Sequence, residues 1–153
     1  MSIEKVREFF RPLGREGDIL EFPVSSATVE LAAQAVGVIP ARIAKTLSFL
    51  VEEGCVLIVA AGDAKIDNAK YKAMFHTKAK MLTPEQVTRF TGHAIGGVCP
   101  FGSLEGVRTY LDISLKRFDT VFPAAGSSNS AIELTCGELE EYSRSLGWVD
   151  LCR

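Results

Sequence analysis

Two stretches of this sequence carry residues whose type and spacing can do chemistry. Lys45 stands at the start of the run Thr46-Leu47-Ser48-Phe49-Leu50. A lysine at the start of a buried strand can be held rigidly at a cleft mouth, where its ammonium meets phosphate or carbonyl oxygen. The second stretch, 92–102, has glycines at 92, 96, 97 and 102 and proline at 100. Glycine lets backbone N–H groups approach an oxyanion without a Cβ in the way, and proline fixes part of such a loop. Taken singly, a surface lysine and a tight connection account for these features. Their joint presence with Gly126-Ser127-Ser128-Asn129-Ser130 favours a site.

Other chemistry finds less support. The sequence has no GxGxxG after a strand, no GxxxxGK[ST], no GxSxG and no HExxH. Of the two histidines, His76 lies in a lysine-rich segment and reads as a surface residue. His93 follows a helix-ending glycine, where capping or packing is the default. A Cys99 nucleophile with His93 as base is an alternative, because both flank the glycine loop, but no third residue orients them. Cysteines at 55, 99, 136 and 152 form no CxxC pair, and no histidine stands at metal-ligand spacing. Reduced thiols in a reducing, cytoplasmic setting are expected, with neither metal nor cofactor.

The elements that must position these residues follow from periodicity. Ile3, Val6, Phe9, Phe10 and Leu13 fall at helical spacing, with Gly14 to end the helix. Residues 18–24 alternate as a strand would. Ser26 or Thr28 caps a helix through Val36, with Gly37 as its stop. Residues 45–51 and 55–61, separated by Glu-Glu-Gly, read as a hairpin of core strands. A polar loop at 62–67 precedes a helix over 68–75. Thr83-Pro84-Glu85-Gln86 is a capping box for a helix ending before Gly92. Strands are expected at 107–113, 120–124 and 131–134. Thr135 and Glu138 then box a final helix with Leu139, Tyr142 and Leu146 facing inward. Strands that follow one another through short turns mean a mixed sheet in an α+β fold.

At 153 residues, with 47% hydrophobic and 24% charged residues, the chain has room for one domain, 1–153, and disorder or coiled coil is excluded. No apolar run approaches the ~20 residues that span a bilayer. Charges at positions 4, 5, 7 and 8 break up any signal-peptide pattern. Net charge is −2, yet residues 61–80 hold five lysines against two aspartates, and residues 133–153 five acids against two arginines. A basic face on an acidic protein suits a modest nucleic-acid footprint, although it is also what a solvated helix face looks like.

Four motifs occur in order: Ala44-Lys45-Thr46-Leu47; Gly62-Asp63-x-Lys65-x-Asp67-x-x-Lys70; Thr91-Gly92-x-x-x-Gly96-Gly97-Val98-x-Pro100-Phe101-Gly102; and Ala124-Ala125-Gly126. Together they resemble the YbaK/prolyl-tRNA-synthetase-associated editing domains. The resemblance implies a compact α+β domain, with a curved mixed β-sheet flanked by helices. It also implies hydrolysis of mischarged aminoacyl-tRNA, usually proline tRNA carrying a small wrong amino acid such as Ala, Cys, Ser or Thr. The family's functional lysine maps onto Lys45. Its glycine-proline loop, which holds the terminal adenosine and the ester carbonyl, maps onto Gly96, Gly97, Val98, Pro100, Phe101 and Gly102. Thr46 and the segment Gly126, Asn129, Ser130 fall where members line the amino-acid pocket, and Phe22 where many carry an aromatic residue. Thr46 stands where alanine-selecting members have asparagine, and Asn129 or Ser130 where some have histidine.

An aminoacyl ester is already activated, so a placed water and a stabilised oxyanion matter more than a protein nucleophile. On this reading Lys45 anchors the terminal nucleotide. Backbone N–H groups of residues 97–102 stabilise the tetrahedral intermediate, one such donor being worth ~3–4 kcal/mol. The ribose 2′-hydroxyl, or a water it orients, completes the reaction. Lys65, Lys70 and Lys72 contact the acceptor-stem backbone, and a tRNA synthetase is a further candidate partner. The alternative is a non-catalytic module of the same fold that binds a tRNA end or a nucleotide.

Overall fold

A computed structural model describes residues 2–52, 54–94 and 96–153. Among these described residues, eight strands and five α-helices form an α+β fold around a curved mixed sheet, in the order α1 Ser2–Phe10, β1 Leu20–Glu21, α2 Val29–Val36, β2 Ile43–Val51, β3 Gly54–Ala61, α3 Asn68–Phe75, α4 Pro84–Thr91, β4 Arg108–Asp112, β5 Thr120–Pro123, β6 Ser130–Ala131, β7 Leu134–Thr135, α5 Cys136–Tyr142 and β8 Trp148–Val149. The main sheet runs β7-β5-β2-β3-β4-β8, and β1 pairs with β6 in a separate ribbon. The hairpin β2-β3 is antiparallel, whereas β5 joins β2, and β4 joins β3, in parallel. Its connection includes Glu53, which lies outside the described residues.

Local chemistry sets the helix ends. The Thr28 hydroxyl accepts from Leu31 N–H at 3.1 Å, and Gly37 closes α2 in the left-handed region. Asp67 caps α3 by accepting from Ala69 and Lys70. Thr83 with Gln86, and Thr135 with Glu138, complete capping boxes for α4 and α5. The core strand is β3, whose residues 56–61 are fully buried. On one side Val59 and Ala61 meet Phe10 and Val6 of α1, with Phe101 and Ile132. On the other, Val56 and Ile58 meet Phe49 and Tyr71 of α3.

One gap in the sheet makes the site. Strand β5 pairs with β2 only at Ile43 and Ala44, opposite Phe122 and Pro123. The strap 80–82 joins the same edge further on: Leu50 N–H donates to Lys80 O at 2.7 Å and Leu82 N–H to Ser48 O at 3.2 Å. Between these two partners the edge of β2 at Thr46 lies open.

Three sequence expectations need correction. The strand expected over 18–24 shrinks to Leu20–Glu21, because Glu16–Asp18 form a 3-10 turn and Pro23 has no N–H to donate. The segment 131–134 splits between β6 and β7, since Ile132 turns its N–H to Pro123 O and its side chain into the core. Leu146 does not face inward: α5 ends at Tyr142, and Leu146 is 60% exposed. Strand β8 went unread, as two residues are too few to show alternation.

Candidate functional site

Lys45 lies on β2 where β5 departs, and its ammonium donates to the carbonyls of Gly62 and Ala64. The Gly62 carbonyl is fixed because the loop presses on Pro40: a Cβ at Gly62 would lie 2.1 Å from Pro40 O. Asp63 is clamped by both terminal nitrogens of Arg117, which holds its carboxyl below the usual carboxylate range. Lys70 donates to Asp150 and to the Cys152 carbonyl. Within the motif from Gly62 to Lys70, the carbonyls of Gly62 and Ala64 hold Lys45, while Asp63 and Lys70 tie the segment to Arg117 and to residues 150–152. Half-burial pushes the Lys45 ammonium to a pKa below its ordinary value, by desolvation.

A cavity of about 210 Å³ wraps the open edge of β2. Lys45, Thr46 and Ser48 line it from the strand, Gly96 and Val98 from the glycine loop, and Ser130 and Ala131 from β6. Apolar walls come from Val29 and Ala32 of α2, Phe122 of β5 and Val87 of α4. The loop is seated by contact between backbones: a Cβ on Gly97 would lie 2.9 Å from Ser127 Cα and 3.0 Å from Gly126 C. Gly126 itself has φ +96, which favours glycine. Thus Lys45, Thr46, Gly96, Val98 and Ser130 meet at one hollow, with Gly97 and Gly126 as the joint behind it. Ile95, within this loop, lies outside the described residues.

Several expected site residues do something else. The Gly97 N–H is spent on Ala94 O at 3.0 Å, so it is not an oxyanion donor. Among the described residues no acceptor is found for the N–H of Gly96 or Val98, and both border the cavity. Phe101 is fully buried against Phe10, with ring centroids 5.0 Å apart, and is core. Pro100 and Gly102 border a different hollow, beside Phe9 and Tyr142, so the second half of the loop packs on α1. Asn129 donates to Phe22 O at 3.0 Å while Phe22 N–H donates to Asn129 O at 2.8 Å. That reciprocal pair ties the segment before α2 to the β5-β6 connection, and neither residue lines the cavity.

Cys99 and His93 are neighbours, with Sγ and Nε2 3.7 Å apart, but both are fully buried. Nε2 donates to Phe101 O at 2.8 Å and so cannot take a proton from the thiol. Burial pushes the Cys99 thiol up to about 12 and the His93 imidazole down. The pair is packing.

A model of the aminoacyl-tRNA editing domain matches residues 24–142. The chain belongs to that family. It is 58% identical to the uncharacterized protein YwhH of Bacillus subtilis (strain 168), over 100% of this chain and 98% of that one. Proline–tRNA ligase of Thermotoga neapolitana is 33% identical over 58% of this chain, which spans 15% of the ligase. A crystal structure described as a candidate trans-editing enzyme for prolyl tRNA synthetase superposes with a TM-score of 0.88 at 31% identity, covering 99% of this chain and 97% of that one.

Within this editing domain a second, larger hollow opens along residues 76–80, which lead into the strap; its polar lining is Glu52, His76, Thr77, Lys78, Lys80 and Arg108, basic on balance. The strap thus borders the small cavity through Met81 and Leu82 and a basic groove through Lys78 and Lys80. Sequence reasoning counted these lysines in the basic segment without assigning them a role; their alternation along the strap was the available signal. Lys65 and Lys72 are exposed, whereas Lys70 is engaged as described. No helix among the described residues is long and apolar enough to cross a membrane.

Proposed function

We propose that this chain is a free-standing hydrolase that removes a small wrong amino acid, such as Ala, Cys, Ser or Thr, from proline tRNA in the cytoplasm, with 1–153 acting as one unit. The observation that carries the reading is Lys45, which lines a small cavity together with Gly96 and Val98 of the glycine loop and whose ammonium is held by two carbonyls. An ammonium there grips the phosphate or ribose oxygen of the terminal nucleotide. The N–H groups of Gly96 and Val98 supply the oxyanion donors first sought over 97–102. The ribose 2′-hydroxyl provides the proton transfer that no buried histidine here can. The cavity's size excludes larger side chains, a selection worth only ~1–3 kcal/mol per methylene.

The acceptor stem runs over the strap into the basic groove, so Lys78 and Lys80 join Lys65 and Lys72 as backbone contacts, and a synthetase is the partner that supplies charged tRNA. Incubation with Ala-, Cys-, Ser- and Thr-charged proline tRNA tests this directly. Accelerated release of at least one amino acid is expected. Binding without turnover of any of the four contradicts it.

A further inference from the structure

The open edge of β2 is the feature that this reading leaves unused. Residues alternate along a strand in the direction of their backbone groups. Leu50 N–H and Ser48 C=O both point away from β3 towards the strap, so Thr46, of the same parity, also turns its N–H and C=O away from β3. No strand receives them, because β5 has left at Ala44 and the strap arrives only at Ser48. The Thr46 hydroxyl is likewise buried without a hydrogen-bond partner among the described residues. One residue on the cavity wall therefore carries two acceptor oxygens without partners among the described residues, main chain and buried hydroxyl, beside its own unpaired N–H. Of the other donors at this cavity, Lys45 is the preceding residue of β2, and the N–H groups of Gly96 and Val98 come from the glycine loop.

We infer that this edge binds the α-ammonium group of the aminoacyl ester through the Thr46 carbonyl and hydroxyl; the inference rests on the deacylase reading above. A primary ammonium has three donors and no acceptor, which complements the two oxygens. The Lys45 side chain leaves the strand on the opposite face from that of Thr46 and is tied to Gly62 and Ala64, so the two cations are kept apart. The contact reads a feature common to all α-amino acids and leaves selection among side chains to the apolar walls. It also separates amino acids from hydroxy-acid and N-acylated esters, which lack the charge.

The test compares alanyl-tRNA with lactyl-tRNA, in which a hydroxyl replaces the ammonium, each measured as acceleration over spontaneous hydrolysis. Acceleration of the lactyl ester is expected to be at least ~10-fold smaller, the range for a hydrogen bond to a charged group. Thr46→Val should lower cleavage of the alanyl ester by a factor several times larger than that of the lactyl ester. The non-hydrolysable 3′-alanylamido and 3′-lactylamido adenosines read the same contact by calorimetry, with the alanyl compound binding at least ~10-fold tighter. Equal treatment of the two esters, equal binding of the two amides, or a Thr46→Val loss of equal factor on both esters overturns the inference. Alanylamide binding that depends on Thr46, without turnover of any charged tRNA, instead overturns the deacylase reading and leaves this contact standing.

Discussion

Lys45 and Cys99 are both side chains of nucleophilic type near the glycine loop, and only Lys45 borders a cavity. Cys99 has no accessible surface, and its thiol, pushed up to about 12, holds its proton at any working pH. Iodoacetamide should leave Cys99 unlabelled in the folded protein by mass spectrometry, and Cys99→Ser should retain activity; rapid labelling with loss of turnover would revive the thiol mechanism. Lys45 responds to pH in the opposite sense. Its folded pKa lies below 10.5, so its ammonium is lost earlier on raising the pH than that of an exposed lysine. The desolvation penalty it places on folding fades over the same interval, so its own contribution to stability rises as pH climbs towards 10.5. After subtraction of spontaneous hydrolysis, kcat/KM for the lactyl ester, which has no α-amino group to titrate, should fall along an alkaline limb centred below 10.5. A flat profile to that pH would mean that the charge is not used.

At the scale of elements, position depends on close backbone contact and on caps. Gly97→Ala forces a methyl group against Gly126 and Ser127, where only backbone can give way, and should cost ~1–3 kcal/mol and most of the activity. Gly106→Ala meets open space and should cost ~1–2 kcal/mol for its positive φ alone, with turnover intact; melting curves and kcat/KM separate the two. The capping boxes give a second contrast. Thr83→Ala and Thr135→Ala should each lose ~1 kcal/mol, but only the first disturbs a helix that contributes Val87 to the cavity, so only the first should alter KM. These caps were legible because capping chemistry is local: Thr83 and Thr135 cap where their spacing put them, and of the two candidates Ser26 and Thr28 it is Thr28 that caps α2. The bounds of the two-residue strands β1, β6 and β7, and the existence of β8, were not, because pairing there is dictated by distant partners.

Across the whole molecule the ordered motifs made the α+β fold and the meeting of Lys45 with the glycine loop readable. They did not reveal which side of that loop meets the cavity. Pro100, Phe101 and Gly102 turn to α1, a packing decision made by Phe10 some ninety residues away in sequence. Nor did the lysine run disclose that Lys70 is engaged by Asp150 while Lys78 and Lys80 border a groove. Charge on this scale makes a salt prediction. Neutralising Lys78 and Lys80 should weaken tRNA binding uniformly and flatten its log–log salt slope by about 1 per lost phosphate contact. Lys70→Ala should change that slope little, and the reverse ranking would move the acceptor stem to α3. Turnover by the Lys45→Ala protein, on whichever charged proline tRNA the native protein cleaves, tests the central claim most directly. A fall in kcat/KM of ~100-fold or more is predicted, the usual loss when a preorganised electrostatic contact is removed; turnover equal to that of the native protein would contradict the account.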